Sequence, residues 1–267
     1  MTMLWKRKIG GANMKRLFVL LSFLFCGFAF ADTETINWYV GDTVYATNTC
    51  TTGGNIILPT APTKYGYTFQ GWATYTPIEY LESTGTQWIN TSAYAEPNFF
   101  RVKGKLRYIT ARTKNSDAFG TYNGSAVSIA LYRTGANTSY LETGSSLDYR
   151  GGTVPTIQGV DYEFDIQAKD GVRTGYWNNE NVSLNYSGSL CSNLPLHLFG
   201  HKSITVNEIS EPLRIYKFQI YLSSGIVRDF IPVLDPDGIP CMYDKVTNQY
   251  FYNQGTGNFI AGPVIGQ

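Results

Sequence analysis

Apolar and polar residues alternate along most of the chain, and the alternating segments are short. Residues 34–48 alternate about a Gly41-Asp42 turn, residues 78–91 about a Ser-Thr-Gly turn, and residues 99–109 without a break. An apolar residue at every second position predicts a half-buried strand. No segment repeats apolar residues with a helical period over three turns. Further strands are predicted at residues 126–132, 139–142, 162–167, 173–177, 196–199, 214–222, 225–232 and 249–252.

Composition supports the same fold class. The chain has 20 Tyr, 15 Phe and 27 Gly in 267 residues. Aromatic side chains suit a pleated, half-buried surface, and glycine supplies the turns between short strands. Many short strands with Gly and Asn turns predict an all-β protein that contains a sandwich.

Residues 1–31 have the features of a signal peptide region. Lys15 and Arg16 precede an apolar run over residues 17–28, and Ala29-Phe30-Ala31 offers a small-x-small cleavage site before Asp32. Met14 is an alternative start for this signal. The apolar run is shorter than the roughly 20 residues that cross a bilayer as a helix, so no membrane span is expected after cleavage. The sequence thus predicts export to the periplasm, the cell surface or the medium.

The charge balance of the remaining chain argues against nucleic acid as a partner. The five basic residues of the signal region have no acidic counterpart, and the other 16 basic side chains face 20 acidic ones, for a net charge of −4. A mildly acidic body lacks the basic footprint that nucleic acids require.

Residues 32–76 form the first predicted module. Its end reads LPTAPTKYGYTFQGW, in which Pro62, Gly66, Tyr67, Phe69 and the Gly71-Trp72 pair are spaced as in a known signature. This segment resembles the Listeria–Bacteroides repeat, also called the internalin B-repeat. The resemblance implies a small β-grasp-like module on a secreted or surface protein, with a single copy here. About 40 residues make a weakly stable unit, so these aromatic side chains are expected in its core.

Residues 77–267 form the second predicted module. EYLESTGTQWINT near its start and YDKVTNQYFYN near its end are similar to laminin-G or concanavalin A-like domains of bacterial exported proteins. The resemblance implies a jelly-roll sandwich, whose tail over residues 241–259 would fold as a C-terminal hairpin.

The search for catalytic groups gives little. Glu163 and Asp165 have the two-residue spacing that puts two carboxylates on one face of a strand, as glycoside hydrolases require across a cleft. The plain alternative is a strand with a polar face. His197 and His201 have no activated nucleophile nearby in sequence, and no nucleophile elbow occurs. The expectation from sequence is therefore a protein that is not an enzyme.

A carbohydrate-binding site is the leading positive hypothesis. Tyr176, Trp177, Asn178 and Asn179 combine aromatic rings that stack on sugars with amides that bond hydroxyl groups. The alternative is a core aromatic residue followed by an Asn-rich turn.

Metal and disulfide sites are weakly indicated. No cofactor is expected, although Asp235 and Asp237 could contribute to a calcium site as well as to a plain turn. Cys191 and Cys241 fall in one module and could form a disulfide in an exported protein. Two buried thiols are the equal alternative.

These features together predict an exported or surface binding or adhesion protein for an unknown glycan or protein ligand. A glycoside-active enzyme on a jelly-roll scaffold and a passive structural protein of the envelope are the alternatives. Fold alone does not choose among the three.

Overall fold

A computed structural model describes residues 2–7, 33–40, 43–51, 54–63, 65, 67–73, 75–111, 115–124, 126–135, 137–145, 152–184, 189–203 and 207–265. The predicted signal segment, residues 14–31, lies outside the described residues. Every regular element in the described part is a strand. The strands are β1 (Thr2–Arg7), β2 (Thr33–Val40), β3 (Thr43–Thr51), β4 (Tyr67–Ala73), β5 (Thr76–Pro77), β6 (Leu81–Ser83), β7 (Ile89–Tyr94), β8 (Phe99–Tyr108), β9 (Ser116–Tyr122), β10 (Ala126–Arg133), β11 (Thr138–Ser145), β12 (Gly152–Pro155), β13 (Asp161–Lys169), β14 (Val172–Trp177), β15 (Glu180–Val182), β16 (Pro195–Leu198), β17 (Gly200–Ser203), β18 (Asn207–Ile209), β19 (Leu213–Leu222), β20 (Gly225–Leu234), β21 (Pro240–Asp244), β22 (Gln249–Phe251) and β23 (Ile260–Ala261).

The chain divides into two compact units. The first comprises Met1–Pro77, Leu234–Ile239 and Val264–Gln267, and the second comprises Ile78–Val233 and Pro240–Pro263. Within the first unit β1 pairs with β4 and β2 pairs with β3, both antiparallel. Buried Ile36 and Trp38 of β2 form a small core, against which Ala46 and Cys50 of β3 pack.

The second unit is a sandwich of two sheets. The larger sheet has the order β15-β14-β13-β8-β19-β20-β21-β22, with β6 beside β19 and β23 beside β6. The smaller sheet has the order β12-β11-β10-β9-β16-β7, with β17 and β18 attached. The ring of Phe119 in the smaller sheet lies 5.0 Å from Phe164 and 5.1 Å from Phe218 in the larger one. The prediction of an all-β protein with a jelly-roll sandwich is confirmed.

The central strand β8 shows why these residues form a sheet. Its burial alternates without a break over ten residues. Phe100, Val102 and Leu106 are fully buried, and the charged residues between them lie on the outer face. Each large apolar side chain on the inner face of such a strand stabilises the fold by roughly 2 kcal/mol, because its surface is removed from water.

The Gln87 side chain links the start of the sandwich to the C-terminal segment by hydrogen bonds. Its Oε1 accepts hydrogen bonds from the Thr84 amide and the Ser83 hydroxyl, at 2.8 and 3.1 Å. Its Nε2 donates to the Thr256 carbonyl at 3.1 Å. The side chain is fully enclosed, so the ESTGTQ motif has a structural role.

Replacing Gln87 with alanine is expected to lower the free energy of unfolding by about 1 to 3 kcal/mol, because buried donors and acceptors lose their partner. Urea denaturation of the chain measures this loss. The control is Gln254→Ala, which changes an exposed glutamine in the same region. Equal midpoints for the two variants would contradict the role assigned to Gln87.

Cys191 and Cys241 are both fully buried, and the structure contains them as two thiols that are not bridged to each other. The predicted disulfide is therefore not formed, and the alternative of buried thiols describes the pair. The Cys191 thiol donates to Asn193 Oδ1 at 3.5 Å, and burial raises the pKa of that thiol.

In the described part of the chain, no helix has the length and apolar character needed to cross a membrane.

Candidate functional site

The four residues predicted to bind a ligand lie at the end of β14 and in the turn that follows. Tyr176 is 47% exposed, whereas Trp177 is 3% exposed. The Trp177 indole stacks on Tyr162 and donates to the Pro155 carbonyl at 3.0 Å. Asn178 and Asn179 adopt left-handed backbone conformations and form the β14–β15 turn. The ligand site stays a prediction, in which Tyr176 is the aromatic ring with an exposed surface.

The carboxylate pair predicted for a hydrolase does not form a cleft. Asp165 accepts two hydrogen bonds from Arg101, at 2.7 and 2.6 Å. Glu163 is half exposed and pairs with Lys217 at 3.2 Å. Both acids therefore belong to ion pairs on the outer face of the larger sheet.

The two acidic residues considered for calcium lie in one turn. Asp235 Oδ1 accepts from the amides of Asp237 and Ile239, which makes a tight turn. Among the described residues, no group of three or more His, Cys, Asp and Glu side chains is placed to hold a metal ion.

A different cavity lies on the smaller sheet. Its volume is about 200 Å³, and its lining comprises Asp117, Thr121, Tyr122, Val127, Ala130, Tyr132, Glu142 and His201. All eight residues belong to the second unit. The lining thus brings together an imidazole, two carboxyl groups and two phenols from β9, β10, β11 and β17.

A shift in the pairing register of β9 and β10 places Asp117 and Tyr132 on the same face of the smaller sheet. The pairing of β9 with β10 shifts between Leu131 and Tyr132, so that Leu131 opposes Phe119 and Tyr132 opposes Asp117. Adjacent residues of a strand point to opposite faces. The Phe119 ring packs between the sheets, so its partner Leu131 also faces the core. Tyr132, the next residue, therefore lies on the outer face together with its partner Asp117.

His201 reaches Asp117 through a reversal of the chain. β16 runs antiparallel to β9 and β17 runs parallel to it, so the direction changes at Phe199, whose φ is 61°. A non-glycine residue in this conformation stores backbone strain, and strained residues cluster at functional sites. His201 then lies opposite Gly120.

The His201 imidazole and the Asp117 carboxylate form a close pair. Nδ1 of His201 lies 2.6 Å from Oδ2 of Asp117, and both side chains are largely buried. A carboxylate at this nitrogen fixes the orientation and tautomer of the ring. Gly120 allows β9 and β10 to approach closely beside this pair, because a Cβ there would lie 2.6 Å from the Ala130 Cβ.

Glu142 is a carboxyl group kept in its neutral form. It is 7% exposed, and its Oε1 has no hydrogen-bond partner among the described residues. Burial, and to a smaller extent the negative charge of Asp117, raises the pKa of Glu142 to about 9. At neutral pH this side chain is therefore a proton donor within the cavity.

The raised pKa of Glu142 makes stability depend on pH. Between about pH 4.5 and 9 the folded chain holds a proton at Glu142 that the unfolded chain has lost. The free energy of unfolding therefore falls by about 1 kcal/mol per pH unit over this window from this group alone. Glu142→Gln should remove that slope and be more stable than the natural chain at pH 8, with little difference at pH 4. Urea denaturation at both pH values checks this, and parallel pH profiles would contradict it.

Sequence reasoning considered His201 but missed Asp117, Glu142 and Tyr132. Asp117 and His201 are 84 positions apart. β9 is buried on both faces, so it lacks the alternation that marks a strand. No pattern within a single segment of the sequence predicts that these residues lie close together.

No protein-family model matches the chain, and no curated protein matches it. Among the solved structures that are similar to part of it, two are alginate lyases. One is the alginate lyase AlgAT5 from polysaccharide lyase family 7, with 15% identity, a TM-score of 0.32 and coverage of 47% of this chain and 59% of the lyase. The other is an alginate lyase from Corynebacterium sp., with 13% identity, a TM-score of 0.32 and coverage of 50% and 60%. The match thus spans about 60% of the length of each lyase.

The expectation of a non-catalytic protein is corrected by these findings. It rested on the absence of convergent reactive groups, and the cavity brings His201, Asp117 and Glu142 together. The two solved structures named above are alginate lyases.

Proposed function

We propose that this protein is a carbohydrate-active enzyme on a jelly-roll scaffold, which cleaves glycosidic bonds by acid–base chemistry. The observation that carries the proposal is the convergence of His201, Asp117 and Glu142 on one cavity of the smaller sheet. Perturbed titratable groups that meet in a cavity are typical of active sites.

His201 acts as the general base in this proposal. Asp117 holds Nδ1 at 2.6 Å, so the ring keeps one orientation and Nε2 accepts the proton. The negative charge of Asp117 also stabilises the imidazolium ion that forms. The proton comes either from a water molecule, in hydrolysis, or from a carbon of the sugar ring, in elimination.

Glu142 acts as the general acid. It is protonated at neutral pH because its pKa is raised to about 9, and it passes that proton to the glycosidic oxygen as the bond breaks. One proton is taken and one is given in each turnover, so His201 and Glu142 return to their starting states through solvent. In hydrolysis water is added across the bond, whereas in elimination the electron pair of the broken C–H bond forms a new carbon–carbon double bond in one product as the C–O bond breaks.

The size of the cavity indicates how a substrate is held. Its volume of about 200 Å³ is below the roughly 300 to 1,000 Å³ of cavities that enclose a whole small ligand. The cavity therefore takes one sugar unit, and the rest of a polymer lies outside it. A secreted enzyme that acts on polysaccharide would meet its substrate at the cell surface, which agrees with the signal peptide expected from residues 14–31.

Incubation of the chain with a panel of polysaccharides tests the proposal. The panel includes alginate, which appears in the names of both structural neighbours, together with a neutral β-glucan and a pectin. Reducing ends report any cleavage, and ultraviolet absorbance of an unsaturated sugar separates elimination from hydrolysis. Cleavage that Asp117→Asn reduces at least tenfold supports the proposal. No new reducing ends on any member, or equal rates for Asp117→Asn and the natural chain, would overturn it.

The origin of the two modules also stays a proposal. The motif in residues 62–72 supports an internalin B-type repeat, and the motifs near residues 79–91 and 243–253 support a laminin-G or concanavalin A-like relative. Both groups contain exported proteins, which agrees with an extracytoplasmic enzyme.

A further inference from the structure

The outer face of the larger sheet carries a cluster of cations. Arg101, Lys103, Lys105 and Arg107 alternate along β8 with buried apolar residues. Side chains on one face of a strand repeat every ~7 Å, so the four span about 20 Å. We call these four residues, with Arg214 and Lys217 of β19, the basic face.

β19 widens the basic face beside β8. In the register of the two strands, Arg214 lies opposite Arg107 and Lys217 lies opposite Lys105. The carboxylates occupy the other side, because Asp161, Glu163 and Asp165 of β13 lie opposite Arg107, Lys105 and Lys103. Cations therefore dominate the boundary between β8 and β19.

The basic face has more cations than carboxylates. Six cations meet four acids, since Asp161 and Asp165 each serve two cations, Glu82 pairs with Arg214 and Glu163 pairs with Lys217. This local excess of two positive charges lies on a chain whose net charge beyond the signal region is −4. The exposed pair of Lys217 with Glu163 contributes little to stability, so an anionic ligand can replace Glu163 beside Lys217 at small cost.

Two lysines are well exposed. The side chains of Lys103 and Lys217 are 45% and 46% exposed. Lys103 lies 3.7 Å from Asp165, whose shorter bonds go to Arg101. These two ammonium groups are the most accessible to a ligand on this face.

Tyrosine rings lie among the cations. Arg214 lies over the Tyr80 ring at 3.9 Å, Lys105 over Tyr216 at 4.7 Å and Arg101 over Tyr221 at 5.1 Å. Tyr176, the exposed ring of the ligand site expected from sequence, lies opposite Asp165 on the same face. Aromatic rings beside polar groups form the kind of surface on which sugar rings stack.

We propose that the basic face binds an acidic polysaccharide, at a place separate from the cavity on the smaller sheet. Lys103 and Lys217 pair with carboxylates of the polymer, and the tyrosines contact its sugar rings. The carboxylates of β13 accept hydrogen bonds from sugar hydroxyls. A DNA backbone has no sugar hydroxyls along its length that could donate to these carboxylates, so the face suits a polyuronate better than DNA.

Affinity electrophoresis of the full chain tests the proposal. Native gels contain polygalacturonate, neutral dextran or no polymer, and a separate gel contains duplex DNA. The variants are Lys103→Glu with Lys217→Glu, and the milder Lys103→Gln with Lys217→Gln. The control is Lys169→Glu, which reverses an exposed lysine at the far end of β13. Circular dichroism confirms that each variant keeps the β-sheet spectrum.

The expected result is retardation by polygalacturonate but not by dextran, with an apparent affinity that falls at least tenfold in the charge-reversed double variant and severalfold in the Gln double variant. Lys169→Glu should migrate like the natural chain. Equal mobility in polygalacturonate and dextran, unchanged retardation of both double variants, or equal retardation by DNA would overturn the proposal. The assay measures binding alone, so its failure leaves the cleavage proposed for the cavity untouched.

Discussion

Replacing His201 with alanine is expected to lower kcat on a cleaved polysaccharide by about 100- to 10,000-fold, the usual contribution of a positioned general base. The imidazole lies 2.6 Å from the Asp117 carboxylate in the cavity. KM should change little, because the ring acts on the proton in the transition state and makes a small part of the contact with a polymer. Steady-state rates of reducing-end formation measure the effect.

Lys202→Ala provides the matched control for this experiment. Lys202 follows His201 on β17 and is not one of the eight residues that line the cavity. The control should keep a rate within a few fold of the natural chain. A His201→Ala variant that is as active as the control would show that His201 takes no part in the reaction.

Replacing Glu211 with alanine is expected to lower the free energy of unfolding by about 3 to 5 kcal/mol, because it leaves a buried guanidinium without its counter-charge. Arg133 and Glu211 side chains are 0% and 1% exposed, with 3.2 Å between Nη1 and Oε2. The guanidinium also lies 4.3 Å above the Tyr108 ring. Since domains of this kind have only about 5 to 15 kcal/mol of stability, the variant should unfold at much lower denaturant concentration.

The double variant Arg133→Met with Glu211→Leu separates lost charge pairing from lost packing. Two apolar side chains of similar volume need no desolvated charges, so the double variant should recover most of the stability that Glu211→Ala loses. Urea midpoints of the natural chain, Glu211→Ala and the double variant measure how much of the lost stability is recovered. A loss below about 1 kcal/mol in Glu211→Ala would contradict a buried ion pair.

The sequence predicts the strands of the sandwich where one face is buried. Alternation over residues 99–109 corresponds to β8 (Phe99–Tyr108), and the segments at residues 173–177 and 225–232 correspond to β14 (Val172–Trp177) and β20 (Gly225–Leu234). The signal is local, because a period of two needs only the chain itself and a core on one side.

The candidate site escapes such reasoning for two physical reasons. β9, which carries Asp117, is buried on both faces and has no alternation to detect. The face that Asp117 shares with Tyr132 depends on a register shift against β10, and a shift of one residue exchanges the two faces of a strand. Composition likewise does not predict that Trp177 is buried in the core whereas Tyr176 is exposed to solvent.

The pH dependence of kcat/KM tests the acid–base assignment most directly. With Glu142 as the general acid, the rate of polysaccharide cleavage should fall on the alkaline side with an apparent pKa of about 9, the pKa that burial gives this carboxyl group. Glu142→Gln should lack this alkaline limb and retain only a small fraction of the rate. A natural chain whose activity shows no limb near pH 9, or a Glu142→Gln variant with an unchanged profile, would contradict the account.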